Sequence, residues 1–241
     1  GAKKELEISI KADPNSLDAH NSLAHIDEAL GDQEGAAKEY MAASTLDPTD
    51  QKHLEKARLY KQLEDMANSS GQALDKIKAG KVEEGVGQLK DIITTTKIPA
   101  AREKAVNALS DAIPIIEKVG DQQVSDKKYT DALNTYEQGI RAAMLLARAH
   151  KQDTLGTDAD PMMHKMTEAA KLAHTPDATF KLFNDVIALY PDDKTANMEL
   201  AQAYLSQSPP NYDNAADLEE RAGAPDDQVR KLRDMAKKHR K

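Results

Sequence analysis

The stretch that decides the fold is Pro14 to Pro48, PNSLDAHNSLAHIDEALGDQEGAAKEYMAASTLDP, in which the second proline follows the first by 34 residues. Its first half carries His20, Leu23 and Ala24, and its second half carries Ala36, Tyr40 and Ala43. Spacings of three and four return to the same side of a helix, so each half has one packing face. Small residues let a partner helix approach closely, and a bulky one fills the gap left between them. Leu46-Asp47-Pro48 closes the unit, because proline cannot sit inside the next helix and biases its predecessor away from helix. The unit therefore reads as helix–turn–helix.

Fragments of it recur. Ala36/Tyr40/Ala43 is echoed by Gly85/Leu89/Ile92, Ala132/Tyr136/Gly139, Thr179/Phe183/Val186 and Ala215/Glu219/Ala222. Ala12-Asp13-Pro14 and Leu189-Tyr190-Pro191 end helices in the same way as Leu46-Asp47-Pro48. After Pro191 come Asn197, Leu200, Ala201 and Tyr204, then Tyr212 and Ala215, and Pro225 lies 34 residues beyond Pro191. Two positions depart from the pattern: Asp27 stands where Tyr204 stands in the later copy, and Glu219 where an aromatic belongs. Between 51 and 175 the echoes are 47 apart, so either the helices are longer or an extra helix intervenes; helical stretches at 52–79, 100–119 and 160–174 favour lengthening. Pro114 is expected to kink or restart a helix, and Ser69-Ser70-Gly71 to interrupt one or form a turn.

Taken together these residues resemble the tetratricopeptide repeat, W-x2-L-G-x2-Y followed by A-x3-F and P over about 34 residues. The resemblance covers 17–50 and 176–224, and reaches the middle by inference. It implies an all-α, right-handed helical-repeat solenoid of antiparallel helix pairs, with longer or irregular helices in the middle. The expected organisation is one domain over 1–241: N-terminal repeats to 50, an irregular helical middle over 51–175, C-terminal repeats over 176–224, and a basic capping helix over 225–241. In this family the ligand-facing side chains come from the first helix of each pair. Here they would be Asp18, Asn21, Ser22, His25 and Glu28 in one repeat, and Thr195, Met198, Glu199, Gln202 and Leu205 in another. Chaperone-adaptor members grip a terminal carboxylate with lysines and asparagines; Asn21 stands here without Lys or Arg, so that clamp is not expected. With Asp18, Glu28 and Glu199 the face is acidic, which suits a basic or mixed-charge protein or peptide.

Composition narrows the classes. Hydrophobic residues make up 39% of the chain, with two Phe, seven Tyr and no Trp, so alanine and leucine carry the apolar faces. There is no cysteine, which excludes disulfides, thiolate metal sites and a cysteine nucleophile. Such a chain suits the cytoplasm or the periplasm equally. No apolar run approaches the roughly eighteen residues that suggest a transmembrane helix. Gly1-Ala2 leads almost at once into what reads as a second repeat helix, Leu6 to Ala12, so the natural protein is expected to continue upstream. Net charge is −8, of which Arg230 to Lys241 contributes +6 and the remainder −14. An acidic body argues against wrapping nucleic acid, which calls for a basic stripe. The basic end suits a last helix, whose dipole it complements, with Val229, Leu232 and Met235/Ala236 as its apolar stripe.

The chemistry of active sites is missing. Gly80-Lys81-Val82 lacks the upstream glycine loop and the following hydroxyl of a phosphate-binding loop. No Gly-x-Ser-x-Gly occurs. His20 and His25 lie about 140° apart around a helix, too splayed for one zinc ion, and His164 and His174 have only Glu168 between them as an acidic partner. Asp153 to Asp160 lacks the glycine and terminal glutamate of a calcium loop; it reads as a loop ending in Asp160 as helix cap, with Pro161 as first helical residue. No catalytic residue, cofactor or metal is expected. The sequence points to a non-enzymatic interaction scaffold or adaptor, with a structural subunit of a bacterial envelope, secretion or export assembly as the alternative.

Overall fold

The computed structural model describes residues 1–239, apart from the side chain of Pro176; Arg240 and Lys241 of the basic tail lie outside the described residues. The described residues form helices and no strand. In chain order they are α1 (Ala2–Ala12), α2 (Leu17–Leu30), α3 (Gln33–Leu46), α4 (Gln51–Lys78), α5 (Val82–Thr95), α6 (Pro99–Ser125), α7 (Tyr129–Ala149), α8 (Asp160–Leu172), α9 (Phe180–Leu189), α10 (Lys194–Leu205), α11 (Tyr212–Ala222) and α12 (Asp226–His239). A 3₁₀ turn, Pro176–Thr179, precedes α9. The chain divides into two compact units, Gly1–Gly71 with Ile92–Ala105, and Gln72–Asp91 with Val106 onward. Each is a stack of helical hairpins, and α4, α5 and α6 contribute a segment to each.

Local signals explain the hairpins. Ser16 Oγ accepts the Ala19 N–H at 3.3 Å and starts α2; Asp193 Oδ1 does the same for Ala196 at 2.8 Å and starts α10. Asp32 and Asn211 cap α3 and α11 in the same way. Each cap satisfies an N–H that the first helical turn leaves without a partner. Gly31 and Gly223, at φ 75° and 81°, close α2 and α11 in the left-handed conformation that glycine adopts freely. The equivalence of the two copies extends inward: His20 Nε2 lies 3.0 Å from the carbonyl oxygen of Pro14, and Asn197 Nδ2 lies 3.0 Å from that of Pro191.

The small–bulky–small positions are the cores of their hairpins. All fifteen residues of the five copies are buried except Ile92, which is half-buried. Tyr40, Leu89, Tyr136 and Phe183 fill the gaps, and Glu219 is buried in the fifth with its Oε2 lacking a hydrogen-bond partner. In the second unit, approach is closest where glycine allows it. A Cβ on Gly120 would fall 2.4 Å from the Tyr136 ring, and one on Gly85 would fall 2.5 Å from the Ala73 carbonyl oxygen.

The middle is helical and its helices are long, with 28 residues in α4, 27 in α6 and 21 in α7. Three local expectations need correcting. Helix α6 runs through Pro114 without restarting; Pro114 and Ser110, whose carbonyl loses its partner, are both exposed, so water can take the vacated bond. Helix α4 runs through Ser69-Ser70-Gly71, where Ser70 Oγ donates to the Met66 carbonyl at 2.9 Å without interrupting the helix. Asp160 is the first residue of α8 rather than its cap. Burial pushes its carboxyl up, while a hydrogen bond with Thr195 works the other way.

Replacing Tyr40 by Ala removes a fully buried aromatic and should destabilise the protein by about 3–5 kcal/mol. Gly120→Ala drives a methyl into the Tyr136 ring and Ala36→Leu overpacks α3; each should cost about 1–3 kcal/mol. Urea midpoints of the three variants against wild type measure this, and parental midpoints in all three would contradict the packing described.

Candidate protein-binding surface

On α2, Asp18, Ser22 and His25 are exposed, while Ala19, Leu23, Ala24 and Asp27 are buried. Asn21 is half-buried, and its Oδ1 is out of contact with water and without a hydrogen-bond partner. Asp27, at the position where the repeat pattern has tyrosine, explains that departure. It meets Lys3 of α1 at 2.7 Å, and the same ammonium reaches Asp32 at 2.8 Å. The hydrogen bonds to Asp27 and then Asp32 push the Lys3 ammonium well above its ordinary value. That pair ties α1 to the following hairpin.

Glu28 is the centre of a larger group. Its Oε2 accepts the Tyr40 hydroxyl at 2.7 Å and the Lys56 ammonium at 3.0 Å, and its Oε1 accepts the Tyr60 hydroxyl. Lys56 also reaches the Tyr40 hydroxyl at 3.0 Å, and His25 Nδ1 lies 3.1 Å from the same oxygen. Tyr40 stacks between Tyr60, with ring centroids 6.0 Å apart, and His53, at 5.9 Å. The Tyr60 and Tyr40 hydroxyls, and then Lys56, hold the Glu28 carboxyl down at about 2. Burial, with the Glu28 carboxylate adding to it, pushes the Tyr60 hydroxyl up to about 12. Lys56 is pushed up by its bonds to Tyr40 and Glu28.

The second unit repeats the motif with other residues. Tyr136, on α7, donates its hydroxyl to Asp121 Oδ1 of α6 at 2.8 Å. Lys165 of α8 bridges Asp121 Oδ2 and Glu117 Oε1, both at 2.7 Å. Next to Lys165, His164 Nδ1 lies 3.0 Å from Glu199 Oε1 of α10. Glu199 is buried, whereas Met198 and Gln202 are exposed and Thr195 and Leu205 are half-buried. Polar side chains on the first helices α6, α8 and α10 thus bond to one another in sequence, as those of α2 and α4 do in the first unit.

Of the ten residues that sequence singled out, Glu28, Glu199 and the exposed His25 carry internal partners, Asn21, Thr195 and Leu205 are half-buried, and Asp18, Ser22, Met198 and Gln202 are exposed. Lys56, Tyr60, Lys165 and Asp121 escaped the sequence analysis. A signal existed: Tyr40 and Tyr136 occupy core positions, and a buried phenol requires an acceptor on a neighbouring helix. Among the described residues no group of His, Asp and Glu is arranged to hold a metal ion, and no helix is long and apolar enough to cross a membrane.

Residues 181–228 match the tetratricopeptide-repeat family. A search of curated proteins finds no match. Among solved structures, the chain is similar to the P58(IPK) TPR domain at 16% identity and a TM-score of 0.36, covering 97% of this chain and 58% of that one. It is also similar to MamA protein, at 14% identity and a TM-score of 0.31, covering 86% of this chain and 89% of that one. A tetratricopeptide repeat protein from Parabacteroides merdae shows 11% identity and a TM-score of 0.23, covering 90% and 97%.

A carboxyl held below its ordinary 4.5 contributes stability that is present above that value and lost as pH falls towards about 2. Acid should therefore weaken the first unit through this window. Glu28→Gln should lower stability at neutral pH and flatten the profile between those limits, as read by thermal unfolding across pH. An unaltered slope in the variant would assign the acid sensitivity to other carboxylates.

Proposed function

We propose that this chain is a non-enzymatic scaffold that binds a protein or peptide partner on its concave face, through side chains of its first helices, α2 in the first unit and α10 in the second. The observation that carries the proposal is the pairing of Glu28 with Lys56 and Tyr60, and of His164 with Glu199. These bonds fix consecutive first helices and leave Asp18, Ser22 and His25, and separately Met198 and Gln202, presented on rigid backbone. A partner then meets side chains whose helices need no ordering, which spares part of the entropy of association. Repeats of this class use such surfaces for partner binding.

Because Glu28 and Glu199 already hold donors, the free face is less acidic than the sequence suggests. The partner chemistry that fits is a basic group for Asp18 in the first unit and, independently, an apolar side chain for Met198 in the second. We read the whole of 1–241 as one binding module without cofactor, and its acidic balance as unsuited to nucleic acid.

The test uses paired substitutions at exposed positions: Asp18→Lys with Ser22→Lys, and Met198→Lys with Gln202→Lys. Each pair should weaken capture of partners from the source cells by tenfold or more. Stability should change by no more than about 0.5 kcal/mol per site, as is usual for surface changes. Lys38→Glu, on an exposed position of α3, serves as the silent control. Equal recovery of the same partners by wild type and both variants would remove these faces as the site, and turnover of a substrate by the pure protein would remove the scaffold class.

A further inference from the structure

Glycines inside the long helices have packing reasons at Gly120 and Gly139, where a Cβ would strike the Tyr136 ring and the Met162 sulfur. Gly71, within α4, has none. It is exposed, its φ is not positive, and a Cβ there would meet nothing within 4 Å. Alanine would fit and would firm the helix, since interior glycine is the weaker helix former through its backbone entropy. The preceding residue adds a second weakness. Ser70 is buried and turns its hydroxyl onto the Met66 carbonyl four residues earlier, a back-bond that bends helices. Serine and glycine together are among the few identifiable causes of sharp helix kinks. The third observation is independent of both: the division between the compact units crosses α4 between Gly71 and Gln72.

We propose that Ser69–Gly71 is a flex point built into α4, at which the helix passes between straighter and more bent forms. The 28-residue helix is anchored on either side of this point by packing within different units. Tyr60 and Leu63 belong to the half before it, and Ala73 and Ile77 to the half after it. At the point itself Gly71 offers no side chain that would resist bending. Within α4 the motion lengthens the ladder bonds that span Gly71, from the amides of Leu74 and Asp75 back to the carbonyls of Ser70 and Gly71, and α5 and α6, which also contribute a segment to each unit, give with it.

The chain has no cysteine, so Arg58→Cys and Asp75→Cys accept spin labels at two exposed sites and nowhere else. The labelled positions span seventeen residues, about 26 Å of straight helix. In the full chain the label-to-label distance distribution should be broad, and Gly71→Ala with Ser70→Ala should narrow it. Hydrogen exchange gives a second readout. The Leu74 and Asp75 amides should exchange faster than those one turn before Ser69, and Gly71→Ala should slow them about fivefold, the factor corresponding to the glycine–alanine difference in helix propensity. Gln72→Ala, at an exposed neighbour without the glycine, should change neither readout. A distribution already narrow in wild type overturns the flex point. So does a distribution unmoved by the double substitution, or one narrowed equally by Gln72→Ala.

Discussion

Two buried phenols set the terms for the packing around them. Tyr40 and Tyr136 supply the bulk at the centre of a small–bulky–small face, and their rings are almost wholly out of water. A ring in that position holds two helices at a fixed separation, which is why glycine has to stand at 120. The hydroxyl at its end then needs an acceptor, because a buried donor left unpaired costs about 1–3 kcal/mol. Glu28 and Asp121 provide it from the adjoining first helices. A carboxylate withdrawn part-way from water in turn calls for donors, and Lys56 and Lys165 supply them from the next first helices along. One packing choice on a second helix thus dictates charges on two first helices.

The magnitudes say what each part contributes. The Lys56–Glu28 pair has side chains exposed by 38% and 34%, and ion pairs of that exposure are worth no more than about 1 kcal/mol. Truncating an aromatic as deep as Tyr40 costs several times as much. The lysines therefore serve chiefly to remove a penalty and to fix the spacing of the first helices. This also separates the charge of the whole chain from that of its candidate binding face. The composition is acidic, yet on that face two of the three carboxylates read from sequence, Glu28 and Glu199, already hold donors from neighbouring helices. Asp18 remains as the exposed one.

What was legible in the sequence follows the range of the interactions involved. Helical periodicity concerns residues three and four apart, and it identified the packing faces in all five copies, including the weak match at Gly85/Leu89/Ile92. Turn prolines marked the ends of α1, α3 and α9. Side-chain partners lie beyond that range: Tyr60 is 32 positions from Glu28, and Lys165 is 44 from Asp121. Pro114 and Ser69-Ser70-Gly71 misled for a related reason. Local propensity predicts a break at each, but a helix held along its length by tertiary packing absorbs a lost bond on a wet side or a single glycine.

The two best copies of the repeat show that a position is a geometric task rather than a residue type. His20 and Asn197 share no chemistry beyond a side-chain nitrogen, yet both reach the carbonyl of the proline that opens their repeat. Asp27 and Tyr204 occupy one position and answer to different neighbours. Asp27 is buried against Lys3 of α1, whereas the Tyr204 ring packs 4.7 Å from Phe180 at the start of α9. A tyrosine at 27 would place a phenol where Lys3 now finds its carboxylate, and an aspartate at 204 would leave the Phe180 ring without its partner. The difference between Asp27 and Tyr204 therefore records which helix comes before each repeat, and it is the preceding helix, through Lys3 or Phe180, that selects the residue.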